Sequence, residues 1–353
     1  MECAFCERRC QLDGGRTGFC GMYRAPGDAQ AELPEEVFPR RYSSVYVSHI
    51  ESLPVFHFQP GSRTLVLGGA GCNFDCDYCS NAYLVRSNPA RLLVHELSPE
   101  RVPALAAQSG CHNIAFALNE PTVILPSLLE LAKTAGRAGI PVGILTNGYA
   151  TPEITRVMGE SFAFVNVSLK SVRDEFYRRH VGVPSAGIVM RNIEIFHRLT
   201  HVEVTTPIVE GLNDSEIPEI AAFLQRLDSR IPWHVFRLLP EYRMASRERP
   251  DVGRISAMLR DVCRDLPYVY FGNFVGSRWV STYCPECGTE VMERISLGGC
   301  GGKLVAHRLD DGQKCGICGH PIRIARPPVR WHSAEGPERS APGAALNPEV
   351  GAL

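Results

Sequence analysis

From Arg63 to about residue 239, short apolar runs alternate with longer segments of helical periodicity. The apolar runs predict strands at 63–68, 113–118, 140–145, 163–169, 201–209 and 232–239, and the segments between them predict helices at 99–109, 121–138, 151–159, 185–199 and 213–228. Repeated β/α units form a parallel sheet with crossover helices. Because roughly 210 residues are few for a closed eightfold barrel, we expect an α/β fold built as a partial (β/α)6 TIM-like barrel.

Further elements are predicted on both sides of these repeats. The patterns indicate strands at 43–48 and 54–58, a helix at 251–265 and a strand-like segment at 268–271. Composition changes near both ends of the chain, with cysteine-rich stretches and a proline-, alanine- and glycine-rich end. We therefore expect an N-terminal Cys-rich metal module and linker at 1–40, the barrel at 41–275, a C-terminal zinc-ribbon-like module at 276–326 and a disordered tail at 327–353.

The cysteines are grouped. Eleven of the fourteen fall into three local sets, namely Cys3, Cys6, Cys10 and Cys20; Cys72, Cys76 and Cys79; and Cys284, Cys287, Cys315 and Cys318. The chain is far longer than the small secreted domains that depend on disulfides, so local groups indicate metal sites. The separate Cys111 and Cys263 are expected to be small buried apolar residues.

The central set follows the first predicted parallel strand with the spacing C-x3-C-x2-C, on a loop flanked by glycines. A [4Fe-4S] cluster normally takes four thiolates, so three cysteines without an obvious fourth indicate a cluster with one iron open to another ligand. A structural zinc knuckle is the alternative interpretation.

The two terminal sets indicate further metal sites. Residues 1–25 contain too few large apolar side chains to fold alone, so a four-thiolate site would stabilise them; zinc is the simpler occupant and a second iron-sulfur cluster is the alternative. Near the C-terminus, Cys284 and Cys287 form one C-x2-C-G knuckle and Cys315 and Cys318 form another. Two such knuckles predict a structural zinc site.

Polar residues follow several predicted barrel strands, and the C-terminal ends of barrel strands are where catalytic groups usually lie. Each residue alone has a structural explanation, since a glutamate before a proline can begin a helix and a histidine on a strand can be a core residue. Taken together they predict a site, and the candidates are Asn119, Glu120, Thr146, Asn147, Ser168, Lys170, Thr205, His234 and Arg237.

The cysteine loop, with Tyr78 just before its third cysteine, resembles the signature of the radical S-adenosylmethionine (SAM) superfamily. The resemblance continues through Gly18-Phe19-Cys20-Gly21, Asn119-Glu120-Pro121-Thr122, Thr146-Asn147-Gly148-Tyr149 and Tyr283-Cys284-Pro285-Glu286-Cys287-Gly288, where the chain looks like the AmmeMemoRadiSam group, which is similar to pyruvate formate-lyase activating enzymes. Two differences stand out. Ser168-Leu169-Lys170 replaces a common Asp-Leu-Lys, and Ser80-Asn81-Ala82 replaces a common Gln-Asn-Trp.

The resemblance implies a [4Fe-4S] cluster and SAM as cofactors, and reductive cleavage of SAM to a 5′-deoxyadenosyl radical that removes hydrogen from a protein or peptide. It also implies an external one-electron donor such as flavodoxin or ferredoxin. On this basis Glu120 would take the methionine ammonium, Lys170 the carboxylate and Ser168 or Asn147 a ribose hydroxyl, while Tyr78 would face the adenine.

Other functions remain open at this stage. The enzyme could modify a small molecule or a peptide with the N-terminal cysteines as an auxiliary cluster, or the chain could be a non-catalytic, metal-stabilised binding protein. A net charge of −1 without long basic runs argues against nucleic acid as a partner. No apolar run reaches the roughly 18 residues of a membrane span, so we expect a cytoplasmic protein.

Overall fold

The computed structural model describes residues 1–28, 33–296 and 298–329. The residues of the predicted disordered tail from 330 onward, and part of the predicted linker, lie outside the described residues. Among the described residues, no helix combines the length and the apolar character needed to cross a membrane.

The strands, in chain order, are β1 Tyr23–Arg24, β2 Glu35–Glu36, β3 Arg41–Tyr42, β4 Ser44–His49, β5 Arg63–Gly68, β6 His95–Glu96, β7 Asn113–Phe116, β8 Val142–Thr146, β9 Phe164–Ser168, β10 His201–Ile208, β11 Trp233–Arg237, β12 Val269–Gly272, β13 Thr282–Tyr283, β14 Glu290–Ile295 and β15 Lys303–His307. The α-helices are α1 Ala82–Val85, α2 Pro89–Leu92, α3 Arg101–Gln108, α4 Leu125–Arg137, α5 Pro152–Ser161, α6 Asp174–Phe176, α7 Gly187–Leu199, α8 Ile217–Asp228 and α9 Val252–Val262.

The central sheet has eight strands in the order β12-β11-β10-β9-β8-β7-β5-β4. All neighbours from β5 to β12 pair in parallel, whereas β4 pairs antiparallel with β5. The six predicted barrel strands are present, and the segment at 268–271 adds a seventh parallel strand as β12. The α/β prediction is confirmed.

The crossover helices begin and end close to the predicted positions because local signals define their ends. In α5, the Thr151 hydroxyl accepts a hydrogen bond from the Ile154 amide at 3.5 Å, and Pro152 occupies the first turn. In α9, Asp251 accepts one from the Arg254 amide at 2.6 Å. The strands follow one another in chain order, so right-handed crossovers place these helices on one face of the sheet. The opposite face is called the inner face below.

The predicted strand at 54–58 is wrong. This segment has no strand partner and lies against the inner face, where the Pro54 carbonyl accepts a hydrogen bond from Asn166 at 2.8 Å and the Phe56 and His57 amides donate to Glu203 at 2.9 and 2.7 Å. Its apolar side chains are buried because they close one end of the barrel. A run of buried residues that fills a barrel cannot be distinguished by composition from a buried strand.

The C-terminal strands β13, β14 and β15 form a separate antiparallel sheet that packs onto this closing segment. Arg294 of β14 is fully buried and donates hydrogen bonds to the Phe56 carbonyl at 2.9 Å and to the Thr282 hydroxyl at 2.8 Å. Glu51, also buried, lies 3.8 Å from the Arg294 guanidinium. The C-terminal sheet therefore contributes to the closed end of the barrel.

Candidate functional site

The cysteine triad, defined here as Cys72, Cys76 and Cys79, lies on the loop that follows β5. The Phe74 amide points at the Cys72 sulfur at 3.4 Å, and the Cys79 amide donates to the Cys76 carbonyl at 3.3 Å. Besides burial, the charges of Glu120, Cys76 and Cys79 raise the pKa of Cys72, so the three thiols interact electrostatically. Backbone amides directed at sulfur are a common feature of iron-sulfur ligation.

Burial raises the pKa of all three thiols, that of Cys76 to about 11, because a buried thiolate without a counter-charge is poorly solvated. The positive charges of Lys170 and Arg86 act in the opposite direction on Cys76 and Cys79. A bound cationic iron centre would stabilise the thiolates in the same way, so this donor set fits an iron-sulfur cluster.

Asn119 fixes the start of the cysteine loop. Its Oδ1 accepts a hydrogen bond from the Gly69 amide at 2.7 Å, and its Nδ2 donates to the Ala70 and Gly71 carbonyls at 2.9 and 3.2 Å. The amide group is thus fully used within the protein. Asn119, predicted as a cofactor contact, acts in this structure as a positioning residue for the loop.

The two aspartates beside Cys76 fix the rest of the loop. Arg243 donates to Asp75 at 3.1 Å and to Asp77 at 3.2 Å, and His180 lies 3.1 Å from Asp77. These contacts bring residues from distant parts of the chain onto the triad. Sequence reasoning did not identify Asp75, Asp77 or His180, although an Asp on each side of a cluster cysteine is a visible signal.

Glu120 lies on the loop that follows β7, with 3% of its surface exposed. Its Oε1 accepts hydrogen bonds from the Thr122 amide at 3.1 Å, from the Thr122 hydroxyl at 2.9 Å and from the Thr146 hydroxyl at 2.8 Å, while Oε2 accepts one from the Asn147 amide at 2.7 Å. Burial raises the pKa of Glu120, and these donors partly oppose the increase. No cation lies in ion-pair range of this carboxylate within the described parts of the chain.

Asn147 connects the end of β8 to the cysteine loop. Its Nδ2 donates to Asn73 Oδ1 at 2.6 Å and lies 3.7 Å from the Cys72 sulfur. Its Oδ1 accepts from the Tyr149 amide at 3.0 Å. The residue therefore contacts a cluster ligand directly. Asn73, which the sequence analysis did not single out, completes this connection.

Lys170 and Tyr78 lie together on another side of the triad. The Lys170 ammonium is 5.7 Å from the centre of the Tyr78 ring, a cation–π geometry, and forms no ion pair with a carboxylate of the described residues. The Tyr78 hydroxyl is buried and has no hydrogen-bond partner among the described residues. A free ammonium and a free buried hydroxyl next to three thiols are available to a ligand.

Ser168 and Thr205 occupy paired positions on β9 and β10. The Thr205 hydroxyl donates to Asn166 at 2.9 Å and is therefore already bonded within the sheet. Ser168 is half-buried at the end of β9, two residues before Lys170. Of this pair, Ser168 is the better placed for a ligand above the strand ends.

His234 and Arg237 lie apart from the cysteine triad. His234 is buried and lies 2.6 Å from Glu203, the carboxylate that also binds the barrel-closing segment, while its ring stacks on Tyr270. Arg237 lies over the Phe274 ring, with 5.4 Å between the guanidinium carbon and the ring centre. The structure thus brings together the triad and the residues of β7 to β9, whereas His234 and Arg237 do not contact them.

The four C-terminal cysteines form a compact group. Their sulfur atoms all lie within 4.8 Å of one another, with 3.6 Å between Cys284 and Cys318 and 3.7 Å between Cys287 and Cys315. Four sulfurs at bonds of about 2.3 Å around one tetrahedral ion would be separated by roughly 3.8 Å. Among the described residues, no other group of three or more His, Cys, Asp or Glu side chains is as compact as this one.

Comparisons with known proteins agree with this site. The sequence model of the Radical SAM superfamily matches residues 66–224. An uncharacterized protein of Methanocaldococcus jannaschii is 28% identical over 338 residues, covering 92% of this chain and 95% of that protein. The isethionate sulfite-lyase activating enzyme of Oleidesulfovibrio alaskensis is 28% identical over 191 residues, covering 53% of this chain and 60% of that enzyme.

A probable GTP 3′,8-cyclase of Thermococcus kodakarensis is 31% identical over 157 residues, covering 43% of this chain and 49% of that protein. Among solved structures, Streptococcus suis SuiB bound to S-adenosylmethionine aligns with a TM-score of 0.48 and 14% identity, covering 62% of this chain and 51% of SuiB. The family match begins on β5, includes the cysteine triad and ends in α8, so the site described above lies within it. Residues 66–224, which include the cysteine triad, Glu120 and Lys170, therefore match the radical SAM superfamily.

Proposed function

We propose that this protein cleaves SAM reductively and uses the resulting 5′-deoxyadenosyl radical to remove a hydrogen atom from a protein or peptide. The observation that carries the proposal is the pairing of the cysteine triad with a buried carboxylate, Glu120, that has hydrogen-bond donors and no cation partner among the described residues. A buried carboxylate without a counter-ion is costly. An ammonium group of a ligand would supply that charge.

The residues of the site have complementary roles in this proposal. The cysteine triad would hold a [4Fe-4S] cluster, which supplies one-electron chemistry and an open iron when it is bound. Glu120 would take the methionine ammonium and Lys170 the methionine carboxylate, because each carries a charge without a protein partner. Ser168 is available for a ribose hydroxyl. Asn119 and Asn147 hold the loop and its first cysteine in place.

Water exclusion is part of the same proposal, because a reactive radical requires a dry site. Tyr78 is buried against Lys170 and Phe176. Arg243 binds both aspartates of the cysteine loop and thereby ties the segment after β11 to this loop. In this proposal, Tyr78 and the segment that carries Arg243 would limit the access of water to the triad.

The C-terminal four-cysteine group would hold a structural zinc ion. Its sulfur separations are those of one tetrahedral ion, and the four ligands leave no open coordination position. The Cys287 sulfur and the Thr289 hydroxyl are 3.2 Å apart, and a hydrogen bond between them stabilises the thiolate form and lowers the pKa of Cys287 to about 6, which favours the thiolate that zinc requires.

A protein or peptide substrate is favoured because two relatives are named as activating enzymes, that of isethionate sulfite-lyase and a putative glycyl-radical enzyme activating enzyme of Methanocaldococcus jannaschii. The chain matches 60% and 76% of their lengths. A small-molecule substrate is the second candidate, because probable GTP 3′,8-cyclases match over a similar region. An external one-electron donor of the flavodoxin or ferredoxin type is required in either case.

The first experiment measures 5′-deoxyadenosine after anaerobic reconstitution with iron and sulfide and addition of SAM and dithionite. We expect product from the wild type and from a control in which Cys111 and Cys263 are replaced by serine. Cys72→Ala, Cys76→Ala and Cys79→Ala should each abolish it. Product at the wild-type level from any triad variant would overturn the proposal.

The second experiment distinguishes the substrate classes. An extract of cells grown in deuterated medium is divided by dialysis into a protein fraction and a small-molecule fraction, and each is incubated with the reconstituted protein and unlabelled SAM. Deuterium in 5′-deoxyadenosine from the protein fraction supports a protein or peptide target. Deuterium from the small-molecule fraction alone would replace that target with the second candidate.

A further inference from the structure

The N-terminal module contains a second set of four thiols, Cys3, Cys6, Cys10 and Cys20. The Cys10 sulfur lies 3.7 Å from the Cβ position of Gly18 and accepts a hydrogen bond from the Phe19 amide, so the turn that leads into Cys20 packs against Cys10. Cys3 and Cys10 are joined by a backbone hydrogen bond of 2.8 Å. Residues that are far apart in this short stretch therefore converge on a common space.

The Cys10 sulfur faces a backbone amide. The Phe19 amide donates a hydrogen bond to Cys10 Sγ at 3.5 Å. Amide hydrogen bonds to sulfur stabilise metal-bound thiolates and tune iron-sulfur clusters. The backbone around Cys10 therefore favours a thiolate at this position.

The spacing of the four sulfurs differs from that of the C-terminal group. No three of them lie within 4.8 Å of one another, whereas all four C-terminal sulfurs do. A single zinc ion needs sulfurs roughly 3.8 Å apart, while a cluster of several iron atoms holds its ligands farther apart. The two four-cysteine sites of this chain therefore fit different occupants.

The N-terminal site also lies directly against the loop of the cysteine triad. Asn73 is only 1% exposed, and its Nδ2 has no hydrogen-bond partner among the described residues. Arg8 donates hydrogen bonds to the Asn73 carbonyl and, at 2.7 Å, to the Gly182 carbonyl. A buried, unpartnered amide therefore lies where the N-terminal module meets the cysteine loop, and it can donate to a ligand bound there.

We propose that Cys3, Cys6, Cys10 and Cys20 bind a second polynuclear iron-sulfur cluster next to the cysteine triad. Bound sulfide or thiolate would accept the Asn73 amide. Such a cluster can take one electron from an external protein donor and pass one electron toward the triad, which balances the single electron consumed in each reductive SAM cleavage.

The test compares iron, acid-labile sulfide and zinc in anaerobically reconstituted protein. The variant with Cys72, Cys76 and Cys79 changed to alanine should retain iron and sulfide in equal amounts, about two to four of each per chain, and give a paramagnetic signal after reduction. The variant with Cys3 and Cys6 changed to serine should lose this iron and keep a signal that SAM perturbs. The matched control has Cys111 and Cys263 changed to serine and should retain both clusters.

Zinc in place of iron at the N-terminal site would overturn the proposal. If the triad variant contains no iron and the wild type contains about two zinc ions per chain, the N-terminal site is a zinc site. The metal content of the triad variant identifies the occupant of the N-terminal site even if the Cys3 and Cys6 variant fails to fold. The same measurement holds if the wild type does not cleave SAM, so failure of the proposed function and failure of this inference are distinguishable.

Discussion

Glu120 Oε2 accepts a hydrogen bond from the Asn147 amide at 2.7 Å, and this contact joins the ends of two neighbouring strands beside the cysteine triad. Glu120→Gln places an amide nitrogen or a weaker acceptor among these donors and removes the charge. We expect a loss of about 1–3 kcal/mol in the free energy of unfolding. We also expect SAM to bind at least about tenfold more weakly, or 1.4 kcal/mol, in anaerobic calorimetry.

The control for this prediction is Glu160→Gln, which removes an exposed carboxylate at the end of α5. It should change neither stability nor SAM affinity. Wild-type SAM affinity in Glu120→Gln would remove Glu120 from SAM binding and leave it a purely structural residue.

Gly71 provides a test of the contact between the N-terminal module and the cysteine loop. Its φ is +72°, and a Cβ atom would lie 2.5 Å from the Cys20 carbonyl oxygen. Gly139 has the same φ with no atom within 4 Å of its Cβ position. Both Gly→Ala variants introduce backbone strain of about 1 kcal/mol. Gly71→Ala should lose more free energy of unfolding than Gly139→Ala because of the clash. Urea unfolding measures the difference, and equal losses would contradict the packing described here.

Arg243→Ala removes the guanidinium that binds Asp75 and Asp77. Because this ion pair is half-exposed, the loss of global stability should stay within about 1 kcal/mol. Hydrogen exchange in residues 72–81 should become faster, and air should destroy the reconstituted cluster sooner. Arg247→Ala is the matched control. Arg247 donates a hydrogen bond to the Glu210 carbonyl at 2.9 Å and, among the described residues, forms no hydrogen bond or ion pair with the loop. Equal exchange in the two variants would argue against loop fixation by Arg243.

The C-terminal zinc proposal is tested with two cysteines of the same module. Cys287→Ser removes one ligand of the compact four-sulfur group, and we expect the loss of one equivalent of zinc and a lower midpoint of thermal unfolding. Iron content should be unchanged. Cys300→Ser changes an exposed cysteine outside the group and should retain the zinc. Full zinc content in Cys287→Ser would contradict the assignment.

Acid should destabilise the protein through His57. Burial lowers the pKa of this histidine from 6.5 to about 3, so the folded state resists protonation while the unfolded state accepts a proton near pH 6.5. The free energy of unfolding contributed by His57 is therefore full above pH 6.5 and decreases as the pH falls toward 3. In urea unfolding, His57→Gln should show a shallower dependence on pH over this range. An unchanged slope would indicate that His57 does not contribute.

Much of the fold follows from periodicity. The strands from β5 to β11 and their crossover helices are regular because each strand is buried on both faces and each helix has one apolar side, which are patterns of local sequence. Pro54 to Phe58 has the composition of a strand and is not one, because its buried side chains fill the end of the barrel. Such a role depends on the shape of the assembled sheet.

The sequence indicates the candidate site where spacing encodes chemistry, as for the cysteine triad, and where a carboxylate follows a strand, as for Glu120. The contacts of Asn73 with Asn147 and of Arg243 with Asp75 join residues that are distant in the chain, so no local pattern indicates them. His234 shows the reverse limitation. A histidine on a barrel strand was a reasonable site candidate, but Glu203 binds it in the polar network at the closed end.

Arg294 reaches from the C-terminal sheet to the Phe56 carbonyl, and this has a practical consequence for expression. A fragment that ends after β12 would lack the guanidinium that neutralises Glu51 and binds the Phe56 carbonyl, and it would expose the surface that the C-terminal sheet now covers. A truncated catalytic core would therefore be prone to misfolding and insolubility, and crystallographic or enzymological work should retain the chain at least through β15.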